Sequence, residues 1–193
     1  NGAVDADFGS GVLARQYGVN ALAPAVMARW AGRTGAHLVQ VSATLVHGGR
    51  TEAVNAFTPV NPDTDYGRSK LLAEQMICAS GCIASIVRLG GVFGARGPEH
   101  LSLNRAIRAA RIGTLPELVG EGRARRNYVY VDDAADALIH CVTKQLSGTF
   151  LLAGRETLTV RQMVQTVCEV FIPGGSPVRH PGGEARDQVI ESS

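Results

Sequence analysis

The sequence has little of what marks specialised protein classes. Aromatic residues make up 5%, with a single tryptophan, so any core must come from aliphatic and small side chains. Lysine and arginine exceed the acids by only 19 to 17, a formal charge of +2; a dedicated nucleic-acid binder carries a strong basic excess or stripe, and none is expected here. No apolar run approaches the roughly 18 residues that span a bilayer, so no membrane partner is expected either. Cysteine is scarce, with four residues (Cys78, Cys82, Cys141 and Cys168). Cys78 and Cys82 stand four apart, but no second Cys or His pair completes a zinc spacing. All four read as free, buried or half-buried thiols in a reducing cytoplasm. The histidines, at 37, 47, 100, 140 and 180, have no partner at metal or triad spacing. No metal site is expected, and each histidine reads as satisfied or exposed.

What is present suits a packed α/β chain. Apolar residues are 45% of the 193 and charged residues 19%, enough for one domain or a domain with a small lobe. Val12, Leu13, Val19, Leu22, Val26, Met27 and Trp30 fall at helical spacing and predict a helix over 10–33. His37-Leu-Val-Gln-Val41 reads as a buried parallel strand. A polar loop with Gly48-Gly49, Pro59 and Pro62 leads to a helix over 64–80, and then a strand over 82–88. This alternation is the doubly wound pattern, in which the carboxyl ends of the strands face the loops that bear chemistry. After Arg88 regularity drops. Glycines 90, 91, 94 and 97 form an open stretch before a helix over 101–112. Short strands at 117–119 and 128–131 bracket the basic segment 123–126. Asp132 is expected to cap a helix over 133–144, and Thr159 one over 160–171. From Pro173 onward Gly, Pro and charge dominate without periodicity, which reads as a loop or frayed end.

The sharpest chemical feature is Tyr66-Gly-Arg-Ser-Lys70. Tyr and Lys four apart share one helix face. An ammonium near a phenol favours the phenolate and pulls its pKa down from about 10, so the Tyr can exchange a proton with a substrate hydroxyl or carbonyl while a cofactor handles hydride. The bare pair is a weak signal, since a solvated Tyr–Lys pair on a helix has the same spacing. Its surroundings sharpen it: Ser42 and Thr44, at the end of the upstream strand, offer hydroxyls that could polarise the same carbonyl.

The linked motifs Val41-Ser-Ala-Thr-Leu-Val46, Tyr66-Gly-Arg-Ser-Lys70, Arg88-Leu-Gly-Gly-Val-Phe-Gly94, Gly120-Glu-Gly122 and Arg126-Asn-Tyr-Val-Tyr-Val-Asp-Asp133 stand in one order. In that order they resemble the extended short-chain dehydrogenase/reductase family of NAD(P)-dependent nucleotide-sugar epimerases, dehydratases and dTDP-4-dehydrorhamnose reductases. The resemblance covers roughly residues 1–170. It implies a Rossmann-like doubly wound parallel sheet with a small C-terminal substrate lobe, divided as 1–95 (with 132–145 returning) and 96–193. It implies Tyr66 as acid/base, Lys70 as its electrostatic and ribose partner, Ser42 as second hydroxyl donor and Asn20 as support for a proton relay. Gly2, Ala3, Gly90, Gly91 and Val92, with Tyr66 and Lys70, would lie along NAD or NADP. Thr44 and Arg126 would touch a nucleotide-sugar, Arg126 through its diphosphate. The helices over 10–33 and 64–80 are those such enzymes often use to form a homodimer.

The match has departures. Counting back three from Val46 to the family's catalytic hydroxyl lands on Ala43, which has none, and both Ser42 and Thr44 could instead satisfy local backbone groups. Asn127 stands where the family commonly has Asp, and Arg126 could serve a surface or salt-bridge role. Gly9-Ser-Gly11 follows no strand-length apolar run, so the strand, glycine-rich turn and helix N-terminus of a pyrophosphate site are expected upstream of Asn1, in a first half of the fold outside this sequence. The other reading is a non-catalytic nucleotide-binding or regulatory member of the same fold, or an inactive fragment. Thr44-Leu45 offers no acid pair of the dehydratase kind, which tilts the expectation toward reductase or epimerase chemistry.

Overall fold

The computed structural model describes residues 10–49, 53–183 and 185–191, and these fall into two compact units. One takes in the described parts of 1–49, 56–89 and 136–151, and the other those of 50–55, 90–135 and 152–193.

In the first unit the predicted helix over 10–33 is one helical run with a defect: α1 (Ser10–Tyr17), a π-turn (Gly18–Leu22) and α2 (Ala23–Thr34). Pro24 accounts for the defect. It has no N–H to give the carbonyl of Asn20 one turn back, so an α-helical rung is lost. The chain widens there, and the Ala23 N–H reaches back to Gly18 O. Gly35, at φ 72°, takes the left-handed conformation that ends α2. β1 (Leu38–Ala43), a 3-10 turn (Thr44–His47), α3 (Asp65–Ser80) and β2 (Ala84–Leu89) follow. β1 and β2 pair in parallel, Leu38 opposite Ala84 and Ser42 opposite Arg88. A third strand, Gly148–Leu152, lies on the far side of β2.

Leu38, Ala84 and Ile86 on the sheet pack with Ala28, Ala31 and Ile77 of α2 and α3 as an apolar core. Alternate strand residues share a face and helix residues four apart stack. Moving toward the carboxyl ends of the strands, the same surfaces therefore pass from Leu38 and Ile86 to Ser42 and Arg88, and from Ile77 to Glu74, Lys70 and Tyr66. Along the π-turn and α2, Val19, Leu22, Val26, Met27 and Trp30 are each at least half exposed.

The second unit is built from shorter pieces: β3 (Val92–Phe93), α4 (Ser102–Arg111), β4 (Glu117–Val119), β5 (Arg125–Arg126) and β6 (Val129–Tyr130). α5 (Val131–Thr143) begins there, and the third strand of the first unit's sheet becomes β7. β8 (Leu158–Thr159), α6 (Val160–Phe171) and β9 (Val178–His180) complete the order. Leu103, Ala106 and Ala110 of α4 pack on Met163, Val164 and Val167 of α6. Thr159 caps α6 in a reciprocal box with Gln162, as its position predicts.

Several sequence expectations are corrected. Asp132 is not a cap: α5 already starts at Val131, which places Asp132 and Asp133 in its first turn. β3, β5, β7 and β8 were not expected: β3, β5 and β8 are two residues long, too short to show alternation, while the five residues of β7 were passed over. The tail after Pro173 is not a frayed end. β9 pairs in parallel with β4, and Gln188 and Ile190 bridge to Arg126 and Val54. Cys78 is exposed rather than buried or half-buried.

Candidate active site

α3 begins on Thr64, whose hydroxyl accepts the Gly67 N–H at 3.1 Å, and this cap sets Tyr66 in the first turn. Lys70, one turn on, is 5% exposed. Its ammonium lies 5.7 Å from the centroid of the Tyr66 ring and donates to Val41 O at 3.3 Å, near the carboxyl end of β1. An ammonium has three donors, and that bond uses one. Burial pushes the Tyr66 phenol above its ordinary range. It also pulls the Lys70 ammonium down, against an opposing pull from the nearby Glu74 carboxylate. The expected lowering of the phenol is thus reversed in sign, because desolvation of the phenolate dominates.

Asn20, buried in the π-turn, donates to Ser69 Oγ at 3.2 Å, and Ser69 Oγ donates to Tyr66 O at 2.8 Å. The asparagine therefore steadies the first turn of α3 through Ser69. Gly67 sits so close to the 3-10 turn that an added Cβ would meet Leu45 O at 2.5 Å. That approach brings the Tyr66 turn against the Thr44–His47 turn, where Thr44 is half-buried.

Ser42 is otherwise engaged. Its hydroxyl donates to Glu74 Oε1 at 2.5 Å. Glu74, 4% exposed, also accepts Nε and Nη2 of Arg88 at 3.1 and 2.6 Å. Arg88 Nη1 lies 3.1 Å from His47 Nε2, and His47 Nδ1 lies 3.3 Å from Pro59 O. Guanidinium only donates, so Nε2 accepts and the proton of a neutral His47 sits on Nδ1. Burial holds the His47 pKa below its ordinary value. This network of Ser42, Glu74, Arg88 and His47 was missed by motif reading, although Glu74 stands one turn after Lys70 on the same helix face. Ala43, between Ser42 and Thr44, brings no hydroxyl.

In the second unit Gly90 and Gly91 lead into β3 at Val92. An added Cβ at Gly90 would meet Ile190 Cδ1 at 2.7 Å, and one at Gly91 would meet the Tyr128 ring at 2.5 Å. Arg126 is half-buried and donates to Arg125 O at 2.8 Å. Gly2 and Ala3 lie outside the described residues. Among the described residues no group of three or more His, Cys, Asp or Glu could hold a metal ion, and no helix is long and apolar enough to cross a membrane.

A family model described as the RmlD substrate binding domain matches residues 11–179. The dTDP-4-dehydrorhamnose reductase of Mycobacterium tuberculosis H37Rv is 30% identical over 165 residues, covering 81% of this chain and 52% of the relative. The 2'-dehydrokanamycin reductase of Streptomyces kanamyceticus is 29% identical over 164 residues, covering 80% and 47%. The chain thus spans about half the length of the curated relatives it matches. Among solved structures, the dTDP-glucose 4,6-dehydratase from Bacillus anthracis, in complex with NAD, superposes with a TM-score of 0.79 at 21% identity, covering 91% of this chain and 60% of that one. The Bordetella bronchiseptica enzyme WbmG, also in complex with NAD, gives 0.80 at 19%, covering 99% and 61%. These likenesses show the fold, an α/β arrangement of the Rossmann kind with a parallel sheet.

Proposed function

This chain belongs to the RmlD substrate binding domain family, and from that premise we propose that the protein it represents is an NAD(P)-dependent reductase or epimerase of nucleotide-sugars, working by Tyr66/Lys70 proton transfer. The observation that carries the reading is the buried Lys70 ammonium, 5.7 Å from the Tyr66 ring centroid at the carboxyl end of β1. The residues fit the ribose end of a nicotinamide cofactor: Lys70 has two donors beyond the one given to Val41 O, enough for a pair of ribose hydroxyls. When bound, the cofactor would supply or accept the hydride.

Tyr66 is the group placed to donate a proton to a sugar carbonyl oxygen as that carbon is reduced, and to take it back in the reverse step. Lys70 stabilises the phenolate left behind and takes up the ribose. Asn20, through Ser69, keeps the Tyr66 turn in place. Ser42 holds Glu74 rather than substrate, which leaves Thr44 as the second hydroxyl donor. Arg126 grips the substrate diphosphate, residues 96–193 form most of the substrate lobe, and residues 1–95 with 132–145 belong to the cofactor domain. The exposed stripe from Val19 to Trp30 is the proposed homodimer surface, and the setting is a reducing cytoplasm, where the four cysteines stay free.

The test is turnover of a nucleotide-linked keto sugar by the protein containing this chain, followed by the absorbance of reduced nicotinamide. Tyr66→Phe should lower kcat by about 10²–10⁴-fold. A loss under about threefold, too small for a general acid, would sink the mechanism. The second reading, a non-catalytic binder of the same fold, draws on Ala43 and on the engagement of Ser42 with Glu74. It predicts cofactor binding with no turnover in the unaltered protein.

A further inference from the structure

The segment 187–191 is held to the rest of its unit through Asn127. The asparagine side chain donates from Nδ2 to Ile190 O at 2.6 Å and accepts the Ile190 N–H on Oδ1 at 3.1 Å. One amide thereby satisfies both backbone groups of one residue, as a neighbouring strand would. Asn127 is 4% and Ile190 6% exposed. An aspartate in its place has two acceptor oxygens and no donor, so one would face the Ile190 carbonyl. The rest of the segment is stitched on both sides. Val54 N–H reaches Val189 O and Glu191 N–H reaches Val54 O, each at 2.8 Å, while Gln188 N–H reaches Arg125 O at 3.0 Å. Asp187 accepts the Arg125 backbone N–H at 2.8 Å and its Nε at 2.7 Å.

What this segment presses against is the Gly90–Val92 stretch that leads into β3. Ile190 Cδ1 occupies the space that a side chain at Gly90 would take, and the Tyr128 ring does the same at Gly91. Tyr128 directly follows Asn127, and Val129 N–H donates to Gly91 O at 2.9 Å. This stretch is thus backed by two side chains, that of Ile190, whose backbone Asn127 holds, and that of Tyr128, which follows Asn127 in sequence.

We propose that Asn127, acting through Ile190, is a positioning residue for the Gly90–Val92 stretch, with the segment 187–191 as a strap that fixes that stretch for the nicotinamide end of the cofactor. The strap itself stands on the contacts above, and its link to cofactor rests on the proposed function.

The experiment follows backbone amide exchange in the full chain for Asn127→Asp. A buried carbonyl left facing a carboxylate should speed exchange at Ile190, Glu191 and Gly90 by about tenfold or more, with the α3 amides unchanged. Unchanged exchange at either the tail or Gly90 would overturn the strap. A second variant guards against simple misfolding. Gly90→Ala should loosen the same amides, and adding Ile190→Val, which removes Cδ1, should restore them; no restoration would also overturn it. In the protein containing this chain, Asn127→Asp should weaken binding of reduced nicotinamide cofactor by about tenfold, while Thr159→Ala, a helix-cap change elsewhere in the same unit, leaves it unaltered. Loosened amides with unaltered cofactor affinity would reject the positioning role alone, whereas a turnover-competent Tyr66→Phe would reject the proposed function and leave the amide result standing.

Discussion

The two units treat buried charge differently. In the first, Ser42, Glu74, Arg88 and His47 bind chiefly one another, and charge lies inside. In the second, the buried asparagines bind backbone. Asn127 pairs with Ile190, and Asn104 donates to Val92 O and accepts from Gly94 N–H, both at 3.2 Å. Charge there stays outside, in the pairs Arg125–Asp187, Arg161–Glu121 and Arg179–Glu121. Side chains reach backbone carbonyls in the first unit too, from Lys70, Ser69 and Ser85, so what sets the units apart is where the charge lies. Two-residue strands leave N–H and C=O groups without ladder partners, and these recruit side-chain amides.

The comparison breaks first at Glu74. Glu74→Ala should leave the Arg88 guanidinium buried without its carboxylate and the Ser42 hydroxyl without its acceptor. The expected loss is about 3–5 kcal/mol, the cost of removing one partner of a buried ion pair, measured by urea denaturation of the full chain. A loss below about 1 kcal/mol, as for an exposed pair, would mean that water reaches the site and that the network does little for stability.

The pH dependence at His47 sharpens the same contrast. Its folded pKa lies below the ordinary value of 6.5 because burial disfavours the cation, with Arg88 adding to the effect. Between those two values the unfolded chain binds more protons than the folded one, so stability rises with pH. The contribution is full above about pH 6.5 and is lost as pH falls toward the folded pKa. His47→Gln should flatten that part of the profile, and an unchanged slope would assign the effect to other groups.

The first unit was also the more legible in sequence. Apolar spacing and glycine stops marked α2, α3, β1 and β2 to within a few residues, although the apolar stripe that marked α2 is exposed and the buried face of that helix is made of Pro24, Ala25, Ala28 and Ala31. The placement of Tyr66 and Lys70 on one helix face follows from their spacing, while their reading as a site came from the linked motifs around them. The direction of the Tyr66 shift could not be found in this way, since it depends on desolvation, which no motif records. Nor could the engagement of Ser42, which is set by the register of β1 on β2 and by a carboxylate 32 residues away. The tail was misread for a similar reason. Gln188 and Ile190 are held by residues 54 and 125–127, and a segment ordered wholly from outside has no pattern of its own.

The smallest effect expected tests whether the second unit has any locally encoded stability. Thr159 accepts the Gln162 N–H at 3.1 Å, and the Gln162 side chain returns to the Thr159 backbone N–H at 2.8 Å. This closes a box at the start of α6, the helix that supplies Met163, Val164 and Val167 to the core. Thr159→Ala removes the cap but not the β5–β8 backbone pairing, in which Thr159 stands opposite Arg125. The expected cost is about 1 kcal/mol, read as a lower urea midpoint with an unchanged slope. If α6 were held only by its packing on α4, the midpoint would stay where it is. A cost well above about 2 kcal/mol, the upper end for a helix cap, would instead mean that the cap also supports the neighbouring strand pair, and that the second unit is more tightly coupled within itself than its short strands suggest.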